Sequence, residues 1–338
     1  MSVIRKMLFK REATGVTPRL IPEGYAQRLV DANVRKGTLR PVKDNLPTAI
    51  STGRVDPETI HRYKSGHWFA FAGDVDVVRS PLADDAWERV YWTGDGVPKM
   101  ASVTNATSGV APYPNISYDL GVPAPDDILT VAASGGTAPD TALSAVYAYS
   151  YVTGYEEEGP LSNASAYVNR WDIDEAGNGW VDLTIPSITV TGRNITKVRI
   201  YRSEDGGEYN YVADIVAGTS TYRDSVSSAL LSIPSVSIEW DIPNPNMTGL
   251  AAVPGGGLAG FFDNVLCFSE PGYPHAWPIS YRIALKDDIV GIAVSSVGIV
   301  VCTTGMPWMV IGSTPSAMDA IQIETPQACV SKRSIVDM

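Results

Sequence analysis

The chain has 338 residues, 44% hydrophobic and 19% charged, which supplies enough apolar surface for a core and excludes disorder throughout. Its 30 glycines and 24 prolines exceed what long helices tolerate and predict many short strands joined by turns. The net charge of −11 excludes a basic surface that wraps nucleic acid, and no apolar run reaches the roughly 18 residues a membrane-spanning helix needs.

At roughly 100–200 residues per domain, the length predicts two or three domains. Residues 1–59 read as an N-terminal arm and docking segment. Residues 1–45 hold ten Lys/Arg against four Asp/Glu, whereas residues 101–338 hold ten against twenty-five. A basic arm beside an acidic body fits a segment that docks on an acidic surface or a polyanion; a solvated tail is the plainer alternative. Arg5, Lys6, Lys10 and Arg11 are the candidate partner contacts. Met1 to Arg11 lacks the apolar core of an export signal.

Residues 60–124 read as the first part of a β domain. Trp68 to Ala72 is an apolar run, and Val75, Val77 and Val78 follow the break at Gly73. Val90 to Thr93 is a run of β-formers that ends at Gly94-Asp95-Gly96, where a tight turn is expected. The aromatics here, Trp92 among them, read as core. Residues 101–125, rich in Pro, Asn and Gly, read as a linker.

Residues 125–235 have a different rhythm. Tyr147, Tyr149 and Tyr151 recur at period two with Val146 on the opposite face. Val181, Leu183 and Ile185 alternate in the same way. A strand from Lys197 to Arg202, a turn at Glu204 to Gly207 and a return strand from Tyr209 to Ile215 predict a hairpin. Short strands about ten residues apart predict a small β-sandwich of fibronectin or immunoglobulin kind, inserted into the larger domain.

Residues 236–338 resume the first domain after a Pro/Gly-rich connector, Pro234 to Gly257. Leu258 to Phe262 and Val265 to Ser269 flank a turn at Asp263-Asn264. Ile289 to Ser295, Gly298 to Thr303 and Pro307 to Ile311 form an apolar meander. Such an up-and-down sheet resembles one blade of a β-propeller, which buries both faces against its neighbours. The fold class expected is therefore all-β: an incomplete β-propeller-like domain, an inserted sandwich and an extended N-terminal arm. The chain stops without a closing turn, so a longer C-terminal portion is expected.

Motifs for chemistry are sparse. His61, His67 and His275 lack zinc-ligand spacing, and His275, between Pro274 and Trp277, reads as a packed ring. Glu156-Glu157-Glu158 reads as a solvated turn, because successive strand residues point to opposite faces. Gly255-Gly256-Gly257 is not followed by Lys-Ser/Thr, and no G-x-S-x-G elbow occurs. Cys267, Cys302 and Cys329 read as buried reduced thiols. No catalytic residue, metal or cofactor is expected, and the chain is read as a non-enzyme.

"GLAGFFDNVLCFSEPGYPHAWPISYRI" (257–283) and "QACVSKRSIVDM" (327–338) resemble structural proteins of tailed bacteriophages, specifically the tail nozzle or tail-tube-type component of short-tailed phages. The carrying residues are Ser269-Glu270-Pro271, Pro274 to Pro278, Ile289 to Ile292 and Cys329 to Val336. Gly37 to Pro41 is similar to the N-terminal arm of such proteins, and "YSYVTGYEEEGPLS" and "VRIYRS" to their fibronectin-like insert. The resemblance implies a homo-oligomeric ring in the virion tail, commonly of six copies and assembled in the host bacterial cytoplasm. Its partners would be further copies of itself, the portal and adaptor and other tail proteins, with double-stranded DNA passing through. An acidic lumen would repel the phosphate backbone and let DNA slide. A receptor- or carbohydrate-binding tail protein is the alternative, with Trp92, Trp171 and Trp180 as its candidate platforms. A glycan-degrading tail enzyme is a second alternative, for which the sequence names no carboxylate pair.

Overall fold

The structure is a computed structural model that describes residues 10–13, 15–30, 32–34, 40–42, 51–134, 142–171, 179–295 and 297–335. The chain divides into two compact units, Met1–Ser51 and Thr52–Met338. In the first, β1 (Ala32–Asn33) pairs antiparallel with β2 (Arg40–Pro41), and Glu12 forms a parallel bridge with Ala26.

The second unit is built from antiparallel sheets, as the Gly- and Pro-punctuated sequence predicts. A hairpin of β3 (Thr59–Lys64) and β4 (His67–Phe71) comes first. A four-stranded meander follows: β5 (Asp76–Arg79), β6 (Val90–Thr93), β7 (Lys99–Ala101) and β8 (Tyr118–Asp119), hydrogen-bonded in chain order. Strand β6 is buried on both faces, and Trp92, Phe69 and Phe71 meet edge-on or tilted at 6.1–6.4 Å between ring centres. Burying such a ring is worth about 2–3 kcal/mol, so this cluster anchors the N-terminal half of the unit. The expected turn after β6 is present. Gly94 sits at φ +97°, and a Cβ there would lie 2.4 Å from the Asp74 carbonyl oxygen.

Residues 101–125 are not a linker. They supply the end of β7, a single helical turn capped by Ser102 (α1, Val103–Ala106), and β8. Leu120 and Val122 are buried. Strands of two or three residues leave no periodicity to read; their neighbours in the sheet impose them.

Two sheets form from the strands β9 (Thr130–Ser134), β10 (Leu143–Thr153), β11 (Val168–Arg170), β12 (Trp180–Thr184), β13 (Ile195–Glu204), β14 (Asn210–Val216) and β15 (Thr221–Asp224). One sheet has the order β11-β10-β13-β14, the other β15-β12-β9. Tyr147, Tyr149 and Tyr151 of β10 point into the core between them, against Val181, Leu183 and Ile185. The two alternating patterns seen in the sequence are thus the two faces of one core. Within it the Tyr147 hydroxyl donates to Asp224 at 2.7 Å, and Arg202 forms a fully buried ion pair with the same carboxylate.

Two further four-stranded meanders complete the unit. The first is β16 (Thr248–Val253), β17 (Gly257–Phe262), β18 (Val265–Phe268) and β19 (Ile283–Ala284). The second is β20 (Ile289–Ser295), β21 (Gly298–Thr303), β22 (Trp308–Ile311) and β23 (Asp319–Gln322). They share one apolar core, with Phe261, Phe268, Ile289 and Val301 buried in it. Strand β16 lies inside the segment read as connector. The first strands of the three meanders are neighbours: β5 lies beside β16, and β16 beside β20. Among the described residues, no helix is long and apolar enough to cross a membrane.

The thiols are all unpaired, but only Cys267 is buried; Cys302 and Cys329 are partly exposed, which corrects the expectation for those two. Cys302 sits on the alternate face of β21 from Ile299 and Val301, and that face is not closed over as tightly.

Candidate functional site

Of the four basic residues singled out in the sequence, Arg5 and Lys6 lie outside the described residues. Lys10 and Arg11 are exposed, and both flank the Tyr25 ring, at 5.3 and 5.8 Å from its centre. Backbone bonds hold this arrangement: Lys10 N–H donates to the Gly24 carbonyl at 2.8 Å, and Ala26 N–H to that of Arg11 at 3.0 Å. Among the described residues neither cation has a carboxylate partner. The pair is a free positive patch on an aromatic support.

The acidic trio departs from its expected role. Glu156 is exposed and pairs with Lys197 at 2.6 Å. It adopts a left-handed backbone, φ 58°, which turns the chain so that Glu157 and Glu158 enter the interior. There Arg89, just before β6 of the first meander, donates to Glu157 at 2.7 Å and to Asp85 at 2.9 Å. Burial pushes the Glu157 carboxyl up to about 7 against the pull of the Arg89 guanidinium. Glu158 accepts from Ser150 and Tyr201 hydroxyls, both at 2.7 Å, and from Arg199 at 2.8 Å.

His275 completes this network and is packed, as its prolines and tryptophan suggest. Its Nε2 lies 3.0 Å from the Glu158 carbonyl oxygen, which can only accept, so Nε2 carries the hydrogen. Burial lowers the ring to about 3, which keeps it neutral. Trp240 and Tyr273 meet it edge-on. These ion pairs and hydrogen bonds join the inserted sheets, the first meander and the loop after β18. Their charges are spent on one another, so the network fixes the relative placement of three elements. Apart from Ser150, the groups that Glu157 and Glu158 meet from other elements lie 41 to 117 residues away in sequence, which is why the trio looked like a surface turn.

The first strands of the three meanders border a cavity of about 390 Å³. Asp76 of β5, Gly249 to Ala251 of β16 and Gly291 to Val294 of β20 line it, together with Lys332 and Ile335. Lys332 spans to Asp74 at 3.0 Å and Asp76 at 3.1 Å. The segment from Cys329 to Ile335 is tied to β21 by Cys329 N–H donating to Thr303 at 2.9 Å. It also lies against Gly291, where a Cβ would sit 2.7 Å from Ile335 Cδ1. The C-terminal segment therefore links the last meander to the first. The "CVSKRSI" residues carry this role through Lys332, whose partner Asp76 lies 256 residues away in sequence.

A second cleft, of about 420 Å³, went unnoticed in the sequence. Trp240 and Tyr273 meet at 4.7 Å between ring centres on its wall. Tyr281 donates to Glu270, and burial together with that carboxylate pushes the Tyr281 phenol up to about 12. Glu239 adds a second acidic group, and Val236 and Ile238 an apolar rim. The tryptophans the sequence offered as ligand platforms fare differently. Trp92 is core, and Arg223 covers Trp180 at 4.6 Å from its ring centre. No family model matches the chain, and no curated protein matches it.

Proposed function

We propose that the chain is a structural component of a bacteriophage tail: a nozzle- or tube-like ring that joins the portal and adaptor to the distal tail and lines the channel through which DNA leaves. The observation that carries this reading is the arrangement of three four-stranded meanders with neighbouring first strands, interrupted by a two-sheet insert. Radially placed four-stranded meanders are the plan of a β-propeller, and two facing antiparallel sheets that of a fibronectin- or immunoglobulin-like sandwich. The antiparallel meanders and the two-sheet insert support these two plans, which the residue resemblance implies. The acidic body suits a lumen that DNA must leave without sticking. The buried polar network around Glu157 and Glu158 joins elements to each other, as a load-transmitting part requires.

In this reading the protein works without catalysis, and its basic arm docks it to neighbours. Deleting residues 1–45 is expected to abolish ring assembly or attachment to the tail; unchanged assembly and attachment would remove the docking role. The receptor- or carbohydrate-binding alternative draws no support from Trp92 or Trp180, which are buried or covered. A glycan-hydrolysis assay on purified particles tests the enzymatic alternative directly.

A further inference from the structure

The cleft walled by Trp240 and Tyr273 combines three features that suit a positively charged peptide. Its carboxylates, Glu239 and Glu270, have no cationic partner among the described residues. Its exposed ring, Tyr273, can meet an ammonium or guanidinium, with the buried Trp240 packed behind it at 4.7 Å. Its surroundings expose Val236, Ile238 and Ile279, each more than half accessible, a grouping that soluble surfaces seldom leave uncovered without a partner.

The complementary surface is present in the same chain. The first unit exposes Lys10 and Arg11, without carboxylate partners among the described residues, and also the apolar Leu20 and Val30. Residues 1–45 carry the chain's positive excess, ten basic against four acidic, whereas residues 101–338 carry ten against twenty-five. Like-charged bodies repel unless a segment of opposite sign bridges them, and a basic arm reaching an acidic cleft is such a bridge.

We propose that this cleft receives the basic N-terminal arm of a second copy of the chain, with Lys10 and Arg11 meeting Glu239 and Glu270 and the arm's apolar residues covering the apolar rim. The inference rests on the multi-copy reading above and adds to it the surface through which copies join. Because each copy offers one arm and one cleft, the contact is head-to-tail, the geometry that closes into rings.

The test uses the full chain and a charge reversal. Self-association of wild type, K10E/R11E and E239K/E270K is measured by sedimentation velocity at about physiological salt, with thermal melts confirming that each variant folds; E239K alone serves if the double variant does not. Each variant is expected to weaken association at least tenfold, and an equimolar mixture of the two to restore it, since each arm then faces a cleft of opposite charge. A photo-crosslinker at Ile238 is expected to capture residues 1–45 of another copy. If wild type forms a ring and both variants do so equally well, this contact is wrong and the ring reading stands. A crosslink confined to one chain also overturns it. If wild type is monomeric at all concentrations, both fall together.

Discussion

Acidification should affect this protein through two buried groups of opposite sign, and the effect of each can be isolated. His275 titrates near 3 in the folded chain against 6.5 when exposed. Between those values the unfolded state binds the proton and the native state does not, so stability falls as pH drops. From pH 7 to pH 5 the loss is about 2 kcal/mol. Glu157 titrates at about 7 in place of 4.5. Here the native state holds the proton and the unfolded state has released it, so stability rises as pH drops from 7 towards 4.5. Over the same interval the gain is again about 2 kcal/mol. The two contributions offset, and wild type should show little pH dependence from this junction. His275→Gln keeps a donor for the Glu158 carbonyl and removes the titration. Its stability should rise by about 2 kcal/mol between pH 7 and pH 5 relative to the change in wild type. Glu157→Gln should fall by a similar amount. Urea unfolding followed by tryptophan fluorescence at both pH values measures this. Comparing each protein with itself cancels the packing cost of the substitution. A His275→Gln variant whose pH dependence matches that of wild type would refute the assignment of a neutral, buried imidazole.

Removing one partner of the buried pair in the insert should be costly: Arg202→Met leaves Asp224 uncompensated and should lose about 3–5 kcal/mol by urea unfolding. Lys197→Ala breaks a partly exposed pair with Glu156 and should lose less than about 1 kcal/mol in the same assay. Gly291→Val should displace the segment around Lys332 and Ile335, because a Cβ there would lie 2.7 Å from Ile335 Cδ1 and 3.2 Å from Lys332 Cβ. Faster alkylation of Cys329, with Cys267 unchanged, is the expected readout; equal rates would mean the segment holds by other contacts.

The fold was legible wherever a strand was long enough to show its period. The tyrosines of β10 and the alternating residues of β12 announced the core of the insert, and the hairpin of β13 and β14 announced its turn. Strands β7 and β8 escaped because two or three residues among prolines and asparagines carry no pattern. The site was less legible for a different reason. Glu157 reads as solvent-facing until Arg89 is placed beside it, and the two are 68 residues apart. Trp240 and Tyr273 come together only after the chain has traversed β16 to β18. Such juxtapositions belong to the tertiary fold, and local propensity contains no trace of them.

The central claim is that this protein acts as one member of a closed ring. Native mass spectrometry of the purified full chain, with electron microscopy of the same sample, tests it most directly. The account predicts one discrete multiple of the protomer mass and annular particles with an open centre. A monodisperse single chain that turns over a small substrate would contradict it.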